Sequence, residues 1–403
     1  MAHVVFVGLG FGGLYALRKF LDDRPEGVRV TAIDRRDRFV FTPLLYEYLA
    51  GELDPDVVAP RLETLVPEGE AEVVRGEVSA VDVRAREVRL AGGRTIGFDV
   101  LVLAPGAVPA FHGVKGAEQH GLPFYSFEDA ERLRTTLRVR AWAGGTQPAC
   151  VVGGGVVGIE LAFALSELLG REGGGGEQVV VLEALGDILG GMSDGLRKMA
   201  WSKLRDAGIR VRTDVRVLEV DDLGVTFREG GKTERFDAAV VAWTAGIQPS
   251  PLLRNLPAEW HGRHGVRVER TLQLPGYPYV FVLGDAISYP GRAVGSPIPD
   301  TAQAALQQAD VCAANVRDWL TTGLAQREYR LNHQGDFLRV SRGAAIADVR
   351  GVVLDGLAAA LARRAAYVVR LPDWAVRTTA IRQWLGPGPE EREEERGEER
   401  RAA

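Results

Sequence analysis

The 403-residue sequence predicts an α/β protein in which one strand–turn–helix–strand design occurs twice. In each copy an apolar, β-branched run leads directly into a glycine-rich turn, and leucines at helical spacing follow the turn. A second apolar strand then ends in an acid, Asp34 in the first copy and Glu183 in the second. The turns are Gly8-Leu-Gly10-Phe-Gly12-Gly13 and Gly153-Gly-Gly155-Val-Val-Gly158. Such glycines, with an acid about 20 residues further on, are typical of Rossmann-like dinucleotide-binding units.

The residues between and after the two copies predict the other elements. These are alternating strands at 72–83 and 87–90, buried strands at 98–103, 236–241 and 279–283, and a helix over 302–319. Two of the buried strands end in tight turns at Gly106 and Gly246, so the repeat includes its last strand. The third is followed by Gly284-Asp285.

This order of elements predicts a first dinucleotide-binding domain that is interrupted by the second. The predicted limits are 1–110 with 265–335 for the first domain, 111–264 for the second, 336–386 for a C-terminal region and 387–403 for an acidic tail. The tail is expected to be disordered, because Glu and Arg make up most of it.

Composition excludes several classes of function. The net charge of −5 offers no basic field for nucleic acid. Cys150 and Cys312 form no CxxC pair, which excludes a dithiol relay, and each is expected to be a small buried apolar residue. The six histidines show no metal-ligand spacing, so no metal site is predicted. The sequence also has no apolar run of about 18 residues or more that could span a bilayer.

The first copy predicts a flavin site. Gly8, Gly10 and Gly13 allow a helix to begin against a pyrophosphate, and Asp34 is placed to accept hydrogen bonds from a ribose. Asp285, after a buried strand, is placed to bind a ribityl chain, although an Asp at this position can also simply cap a helix. The second copy predicts a nicotinamide site, where Glu183 favours NADH over NADPH because a carboxylate repels a 2′-phosphate.

Glu160 is a charged residue among apolar ones at the start of the second copy's helix. One interpretation is favourable placement near the positive end of the helix dipole. The other is contact with the nicotinamide or a role in a proton path. A flavin domain combined with a nicotinamide domain indicates electron transfer from NADH to a flavin and onward.

Further motifs give the chain a resemblance to the type II NADH dehydrogenases, flavoproteins that reduce membrane quinones without pumping protons. The specific segments are Phe41-Thr-Pro-Leu-Leu-Tyr-Glu47 and Ala302-Gln303-Ala-Ala-Leu-Gln307-Gln308. Leu338-Arg-Val-Ser-Arg342-Gly343 departs from the family's pattern, and the motifs do not separate the chain from relatives that reduce demethylated naphthoquinones. Sulfide:quinone reductases are disfavoured, because they need redox cysteines near the flavin.

The resemblance implies a role for each site residue. Glu160 lies near the nicotinamide, and Gln303 and Gln307 flank the flavin on the quinone side. The full set expected to bind FAD is Gly8, Gly10, Phe11, Gly12, Gly13, Asp34, Arg35, Thr42, Pro43, Gly106, Gly284 and Asp285. The set expected to bind NADH is Gly153, Gly155, Gly158, Glu183 and Gly246.

The C-terminal region predicts two amphipathic helices that lie on a membrane surface, since Trp374 and Trp384 accompany basic residues there. The arginines expected near the interface are Arg363, Arg364, Arg370, Arg377 and Arg382. The alternative from pattern alone is a helical hairpin that covers the flavin domain or a dimer contact. The resemblance favours the membrane, on the cytoplasmic face of the inner membrane in the respiratory chain, and implies a homodimer.

Two other functions stay open from the sequence. One is a soluble NAD(P)H-dependent flavin reductase that passes electrons to an iron–sulfur protein. The other is a non-catalytic redox sensor that binds NADH.

Overall fold

The protein divides into two compact units in the computed structural model, which describes residues 1–142, 147–171, 178–262, 265–288 and 301–389. The first unit comprises Met1–Val40, Ala59–Val108 and Ile247–His333. The second comprises Phe41–Val58, Pro109–Gly246 and the described part of Gln334–Ala403. The predicted acidic tail lies outside the described residues from position 390 onward.

A six-stranded sheet forms the centre of the first unit. Its order is Glu72–Arg75, Arg29–Asp34, His3–Val7, Val100–Leu103, Tyr277–Val282 and Gln273–Leu274. The central strand His3–Val7 is parallel to both neighbours, with Val4 opposite Val30 on one side and Val100 on the other. All five of its residues are buried, as expected for a parallel strand covered on both faces.

Helices and small sheets complete the first unit. The helices are Phe11–Asp22, Leu62–Leu65 and Ala302–Thr322, with 3-10 turns at Pro251–Asn255, Ala258–Trp260 and Gly284–Ala286. The smaller strands are Val78–Asp82, Glu87–Leu90 and Thr95–Gly97 in one sheet and Val266–Arg267 with Ile287–Ser288 in another. Two short strands, Ala107–Pro109 and Ile247–Pro249, lie where the chain passes between units.

The second unit has a five-stranded sheet whose first four strands repeat the order of the first unit. Its sheet runs Arg210–Arg212, Val179–Leu182, Ala149–Val152, Val240–Trp243 and Leu122–Pro123. The central strand is again parallel to both neighbours, with Cys150 opposite Val180 and Val241. In both sheets the glycine-rich turn follows the central strand and the acid ends the strand beside it. The acid and the turn therefore meet at one sheet edge.

The other elements of the second unit are helices and two antiparallel sheets. The helices are Leu45–Leu49, Pro55–Val58, Ala117–His120, Phe127–Trp142, Val156–Arg171, Asp194–Asp206, Gly356–Arg370 and Trp374–Leu385, with a 3-10 turn at Thr42–Leu44. The sheets are Arg216–Asp221, Gly224–Glu229 and Lys232–Asp237, and Asp336–Ser341, Ala344–Val349 and Val352–Asp355. Helix Gly356–Arg370 buries Ala359 and Ala360 against the second of these sheets.

Candidate functional site

The first glycine-rich turn has the shape that a bound pyrophosphate requires. Gly8 has a φ of +86°, and a Cβ added there would lie 2.2 Å from the carbonyl oxygen of Ala104. A Cβ on Gly13 would lie 1.7 Å from the oxygen of Gly8. Chain packing therefore requires these two glycines. Among the described residues nothing lies within 4 Å of a Cβ built on Gly10, so the turn presents bare backbone there.

Helix Phe11–Asp22 begins directly after this turn, without a side-chain cap. Its N-cap, Gly10, has no capping side chain, and its first turn contains no acidic residue. Free N–H groups at the positive end of a helix bind phosphate oxygens. The residues of the turn therefore fit the pyrophosphate of a dinucleotide.

Asp34 and Gly284 lie at the same sheet edge as the turn. The Asp34 carboxylate accepts hydrogen bonds from the N–H groups of Leu9 (2.6 Å) and Arg36 (2.8 Å), which fixes the turn to the end of the neighbouring strand. A Cβ on Gly12 would lie 3.3 Å from Cγ of Leu283, so the turn lies beside Gly284 and Asp285. The first unit thus brings Gly8–Gly13, Asp34 and Gly284–Asp285 together.

Gln308 belongs to this site, although the sequence predicts no role for it. Its side chain is buried, and its Oε1 accepts a hydrogen bond from the N–H of Gly284 at 2.6 Å. This bond holds Gly284 at a φ of +74°. The repeated glutamines of the helix are the only signal of it in the sequence, and they do not show which one faces inward.

The remaining candidates of the first unit have varied positions. Phe11 stacks on Tyr15 with ring centroids 6.2 Å apart, Arg35 is exposed, and Gly106 has a φ of +67°. Gln303 lies in the first turn of helix Ala302–Thr322. Gln307 uses both ends of its amide on the backbone of Asn332, at 2.8 and 2.9 Å, which anchors the segment after the helix.

The second glycine-rich turn repeats this geometry. A Cβ on Gly158 would lie 1.8 Å from the oxygen of Gly153, whereas Gly155 has nothing within 4 Å of its Cβ position. Both oxygens of Glu183 are held by backbone donors, the N–H groups of Gly154 (2.5 Å) and Leu185 (2.7 Å). The acid at the strand end thus fixes the turn in both copies of the repeat.

A cavity of about 440 Å³ opens beside this second turn. Its lining includes Glu183, Ala184, Val215 and Arg216, the turn glycines Gly153 and Gly155, and the group Thr244, Ala245, Gly246 and His112. The ring nitrogen Nε2 of His112 lies 2.8 Å from the carbonyl oxygen of Ala245. A cavity of this size, lined by the acid and by the bare backbone of the turn, fits a dinucleotide. All the residues predicted to bind NADH line this cavity except Gly158, which packs against the oxygen of Gly153.

Glu160 lies in the interior of the second unit, in a network that neither interpretation from the sequence anticipated. Its side chain is 4% exposed, and its Oε1 accepts a hydrogen bond from the N–H of Arg339 at 2.6 Å. Burial raises the pKa of the Glu160 carboxyl to about 7, although Arg363 and Arg339 oppose the rise.

The network contains four carboxyl groups and two guanidinium groups, and all six side chains belong to the second unit. The Arg339 guanidinium is paired with Glu52 and with Glu167, and Arg363 donates to Glu47 at 2.6 Å. Arg363 also donates to the carbonyl oxygen of Pro43 at 2.8 Å, and its Nε lies 4.0 Å from Oε1 of Glu160. We name these residues the buried charge cluster: Glu47, Glu52, Glu160, Glu167, Arg339 and Arg363.

The buried charge cluster has an excess of carboxyl groups. If all six groups were ionised, the charge would be −2, which is costly in a low-dielectric interior. Burial raises the pKa of Glu47 as well as that of Glu160. One Glu47 oxygen is also buried without a hydrogen-bond partner among the described residues. The cluster is therefore suited to hold a proton near neutral pH.

Two arginines of the C-terminal helices do not lie where the sequence predicts, at a membrane interface. Arg363 was expected at a membrane interface, but its side chain is 2% exposed and is paired with Glu47. Arg364 lies over the ring of Trp384 at 5.4 Å, and burial lowers the pKa of Arg364. Fewer of the five arginines are therefore available to a membrane than the sequence predicts, because Arg363 is paired with Glu47 and Arg364 packs against Trp384.

The same helices expose a group of large apolar side chains. The exposed residues of this region are Val352, Leu357, Leu361, Val369, Trp374, Ile381 and Leu385. Trp374 is 72% exposed. Among the described residues, half of all exposed large apolar residues thus lie between positions 352 and 385.

Three further observations concern the helices, the potential metal ligands and the cysteines. Among the described residues no helix is long and apolar enough to cross a membrane, and no His, Cys, Asp and Glu side chains cluster as metal ligands. Cys150 and Cys312 are both buried free thiols, as predicted. Burial raises the pKa of Cys150 to about 12 and that of Cys312 as well.

Comparison with known proteins decides the family. A family model described as pyridine nucleotide-disulphide oxidoreductase matches residues 2–309. The chain belongs to this family. It is 33% identical over 393 residues to a demethylphylloquinone reductase of Synechocystis, covering 95% of each chain. It is 27% identical over 412 residues to a type II NADH:quinone oxidoreductase of Mycobacterium tuberculosis, covering 95% of this chain and 86% of that one.

A solved structure confirms the fold predicted for this member of the family. The structure of NDH2 from Plasmodium falciparum in complex with NADH has a TM-score of 0.86 at 15% identity, covering 95% of this chain and 97% of that one. The predicted pair of Rossmann-like units is therefore confirmed. The resemblance to the type II NADH dehydrogenases is confirmed as well.

Proposed function

We propose that this chain is an NADH:quinone oxidoreductase that works through FAD without pumping protons. The observation that carries the proposal is the duplicated nucleotide site, one in each unit, within a chain of this family. Two relatives that cover almost the whole chain are named as a quinone reductase and an NADH:quinone oxidoreductase. Bound in the first unit, FAD would supply the hydride acceptor for NADH and the two-electron donor for the quinone.

The first unit would hold FAD. Gly10 and the start of helix Phe11–Asp22 would bind the pyrophosphate, and Asp34 the ribose, with Gly284 and Asp285 toward the ribityl chain. The other residues proposed to line FAD are Phe11, Gly12, Arg35, Thr42, Pro43 and Gly106, with Gln303 and Gln307 on the quinone side. The predicted domain limits are part of this proposal.

The second unit would hold NADH in the cavity between Glu183 and Gly246. Gly155 would face the pyrophosphate, and Glu183 the adenosine ribose. The wall formed by Thr244, Ala245 and Gly246 would lie toward the nicotinamide. His112 also lines the cavity, and its Nε2 lies 2.8 Å from the carbonyl oxygen of Ala245.

Glu160 would supply a proton to this chemistry. Quinone reduction to quinol consumes two protons, and a carboxyl with a pKa of about 7 carries a proton in a useful fraction of molecules at neutral pH. Arg339 orients the Glu160 carboxylate through its backbone N–H, and Arg363 limits how far its pKa rises. The buried charge cluster would thus hold one proton about one turn into helix Val156–Arg171.

The exposed apolar side chains of the C-terminal helices would rest on a membrane surface, where the quinone is dissolved. Trp374 and Leu361 supply the apolar area, and Arg382 is exposed beside them. The double variant Leu361→Glu/Trp374→Ser should no longer float with anionic liposomes in a flotation assay, whereas the wild type should. The control is Leu223→Glu, which adds a charge at another exposed leucine. Equal flotation of all three proteins would contradict this membrane contact.

The finer assignments of place and assembly are also proposals. The enzyme would act at the cytoplasmic face of the inner membrane, as part of the respiratory chain. It would assemble as a homodimer, which sedimentation equilibrium of the FAD-loaded protein would test directly.

Anaerobic stopped-flow absorbance of the purified yellow protein tests the function. We expect fast bleaching of the flavin by NADH and fast recovery on mixing with a soluble menaquinone or ubiquinone analogue. Recovery only with an iron–sulfur protein would replace the proposal by the soluble reductase. No bleaching by NADH would favour the redox sensor.

A further inference from the structure

His112 is a residue of the NADH cavity for which the sequence predicts no role. Its side chain is exposed and lines the cavity together with the turn at 244–246. The ring nitrogen Nε2 lies 2.8 Å from the carbonyl oxygen of Ala245, and a Cβ added to Gly246 would lie 3.5 Å from the same nitrogen. The imidazole is therefore part of the wall that would lie toward the nicotinamide.

The segment that carries His112 is fixed to this wall. The N–H of Ala110 donates to the carbonyl oxygen of Gly246 at 3.0 Å. The carbonyl oxygen of Ala110 accepts a hydrogen bond from the buried indole N–H of Trp243 at 2.8 Å. Phe111 packs against the same indole, with ring centroids 5.9 Å apart. These contacts hold the imidazole in a defined place in the cavity wall, as recognition of a ligand requires.

The backbone at His112 indicates that its side chain has a function. His112 has a φ of +51°, a left-handed conformation that residues other than glycine adopt infrequently. The next residue also has a left-handed backbone, with a φ of +69°, and there the chain has a glycine, Gly113. A glycine at position 112 would adopt the observed conformation more readily than histidine does. Unfavourable backbone conformations of this kind concentrate at ligand sites, where the side chain compensates for them.

The contact with Ala245 decides the chemistry of the two ring nitrogens of His112. A carbonyl oxygen only accepts hydrogen bonds, so Nε2 carries the hydrogen and donates it. In the neutral imidazole the other nitrogen, Nδ1, is then an acceptor. Within the part of the chain that the structure describes, the bond to Ala245 is the one hydrogen bond of this ring. The imidazole therefore has an acceptor available to a ligand in the cavity.

The nicotinamide of NADH has the donor that such an acceptor needs. Its carboxamide contains an NH2 group with two N–H donors, whereas the phosphate oxygens of the same dinucleotide only accept. A neutral imidazole that already donates through Nε2 thus matches the amide and does not match the pyrophosphate. The hydroxyl groups of the riboses are the other donors of the nucleotide, and they are also present in ADP-ribose.

We infer that His112 accepts a hydrogen bond at Nδ1 from the carboxamide NH2 group of the nicotinamide and so orients the ring in the cavity. This inference rests on the proposed function, since it assigns a contact to the NADH that the second unit would hold. His112 acts there as a specificity-determining residue, because a pyridine ring without the amide N–H loses this contact.

Direct binding separates this inference from the catalytic proposal. Calorimetry of the FAD-loaded protein would compare NAD⁺ with its 3-acetylpyridine analogue, in which a methyl group replaces the NH2 group. The oxidised nucleotides bind without transferring a hydride, and ADP-ribose serves as the reference that lacks the ring. We expect the wild type to bind NAD⁺ about three- to tenfold more tightly than the analogue, as for one hydrogen bond.

Two variants distinguish recognition of the amide from support of the wall. In His112→Asn the side-chain oxygen can take the place of Nδ1, whereas in His112→Gln the side-chain nitrogen can take the place of Nε2 and keep the bond to Ala245. We expect His112→Asn to retain part of the preference for NAD⁺ and His112→Gln to lose it, with unchanged affinity for ADP-ribose in both. The matched control is His120→Gln, which changes an exposed histidine of the same unit that does not line the cavity.

Three results would overturn the inference. A preference retained in His112→Gln and lost in His112→Asn would show that the imidazole only supports Ala245. Equal losses of affinity for NAD⁺ and ADP-ribose would place the contact on a ribose. Equal affinity of the wild type for NAD⁺ and the analogue would mean that the amide N–H is not recognised. In each case NADH:quinone turnover of the wild type would still test the proposed function separately.

Discussion

Replacing Glu160 by Gln tests whether the buried charge cluster holds a proton. The amide keeps an oxygen that can accept the hydrogen bond from the N–H of Arg339. It cannot ionise, however, so it removes the cost of burying a carboxylate.

The magnitude follows from the pKa. The carboxyl has a pKa of about 7 in the folded protein against 4.5 as the reference value. Because the pKa of Glu160 is raised in the folded protein, the contribution of this residue to wild-type stability falls as the pH rises from 4.5 to 7. Above that range its contribution is constant. At about 1.36 kcal/mol per pH unit, the loss is about 3 kcal/mol. Glu160→Gln escapes this loss.

The assay is urea unfolding of the FAD-loaded protein at pH 5 to 9. We expect the stability of Glu160→Gln relative to wild type to rise by about 2.5 kcal/mol across this range, because part of the change lies below pH 5, and most of the rise to be complete by pH 8. A difference that is flat with pH would refute the reasoning, since it would mean that Glu160 is already ionised at pH 5.

Glu167→Gln provides a contrast on the same helix. Glu167 also contacts the strand Asp336–Ser341 and the residue after it. Its carboxylate pairs with the Arg339 guanidinium and accepts a hydrogen bond from the N–H of Arg342 at 2.8 Å. Its replacement removes one of the two carboxylates on a buried guanidinium. We therefore expect it to destabilise the protein at pH 8, opposite in sign to the pH-dependent gain of Glu160→Gln.

Three other changes give separable results. Arg363→Met leaves Glu47 buried without its cation and should cost about 3–5 kcal/mol in urea unfolding at pH 8; a loss below about 1 kcal/mol would show that Glu47 is already neutral there. Gly13→Ala should abolish soluble expression, because its Cβ would lie 1.7 Å from the oxygen of Gly8. Gly10→Ala should fold but retain less FAD after gel filtration, since its Cβ enters open space where the pyrophosphate would bind. Full flavin content in Gly10→Ala would contradict that placement.

Local sequence determined the two nucleotide-binding loops. The central strand, the glycine-rich turn, the helix and the acid all lie within about 35 residues of one another, and each is specified by hydrophobic period or by the conformations that only glycine allows. Gly8, Gly13 and Gly158 are required by contacts within the turn itself. For that reason the fold class and the cofactor loops follow from the amino-acid sequence alone.

Only the tertiary structure decided which charges meet. Glu160 is separated by 179 residues from Arg339, and Glu47 by 316 residues from Arg363. In the sequence, Arg363 resembles any basic residue of an amphipathic helix, and Leu338-Arg339 seemed only a departure from a family pattern. Hydrophobic periodicity specifies which face of an element is buried but carries no information about the partner across that face. Pairing of buried charges depends on such partners, and so it emerges only when the strands and helices are packed.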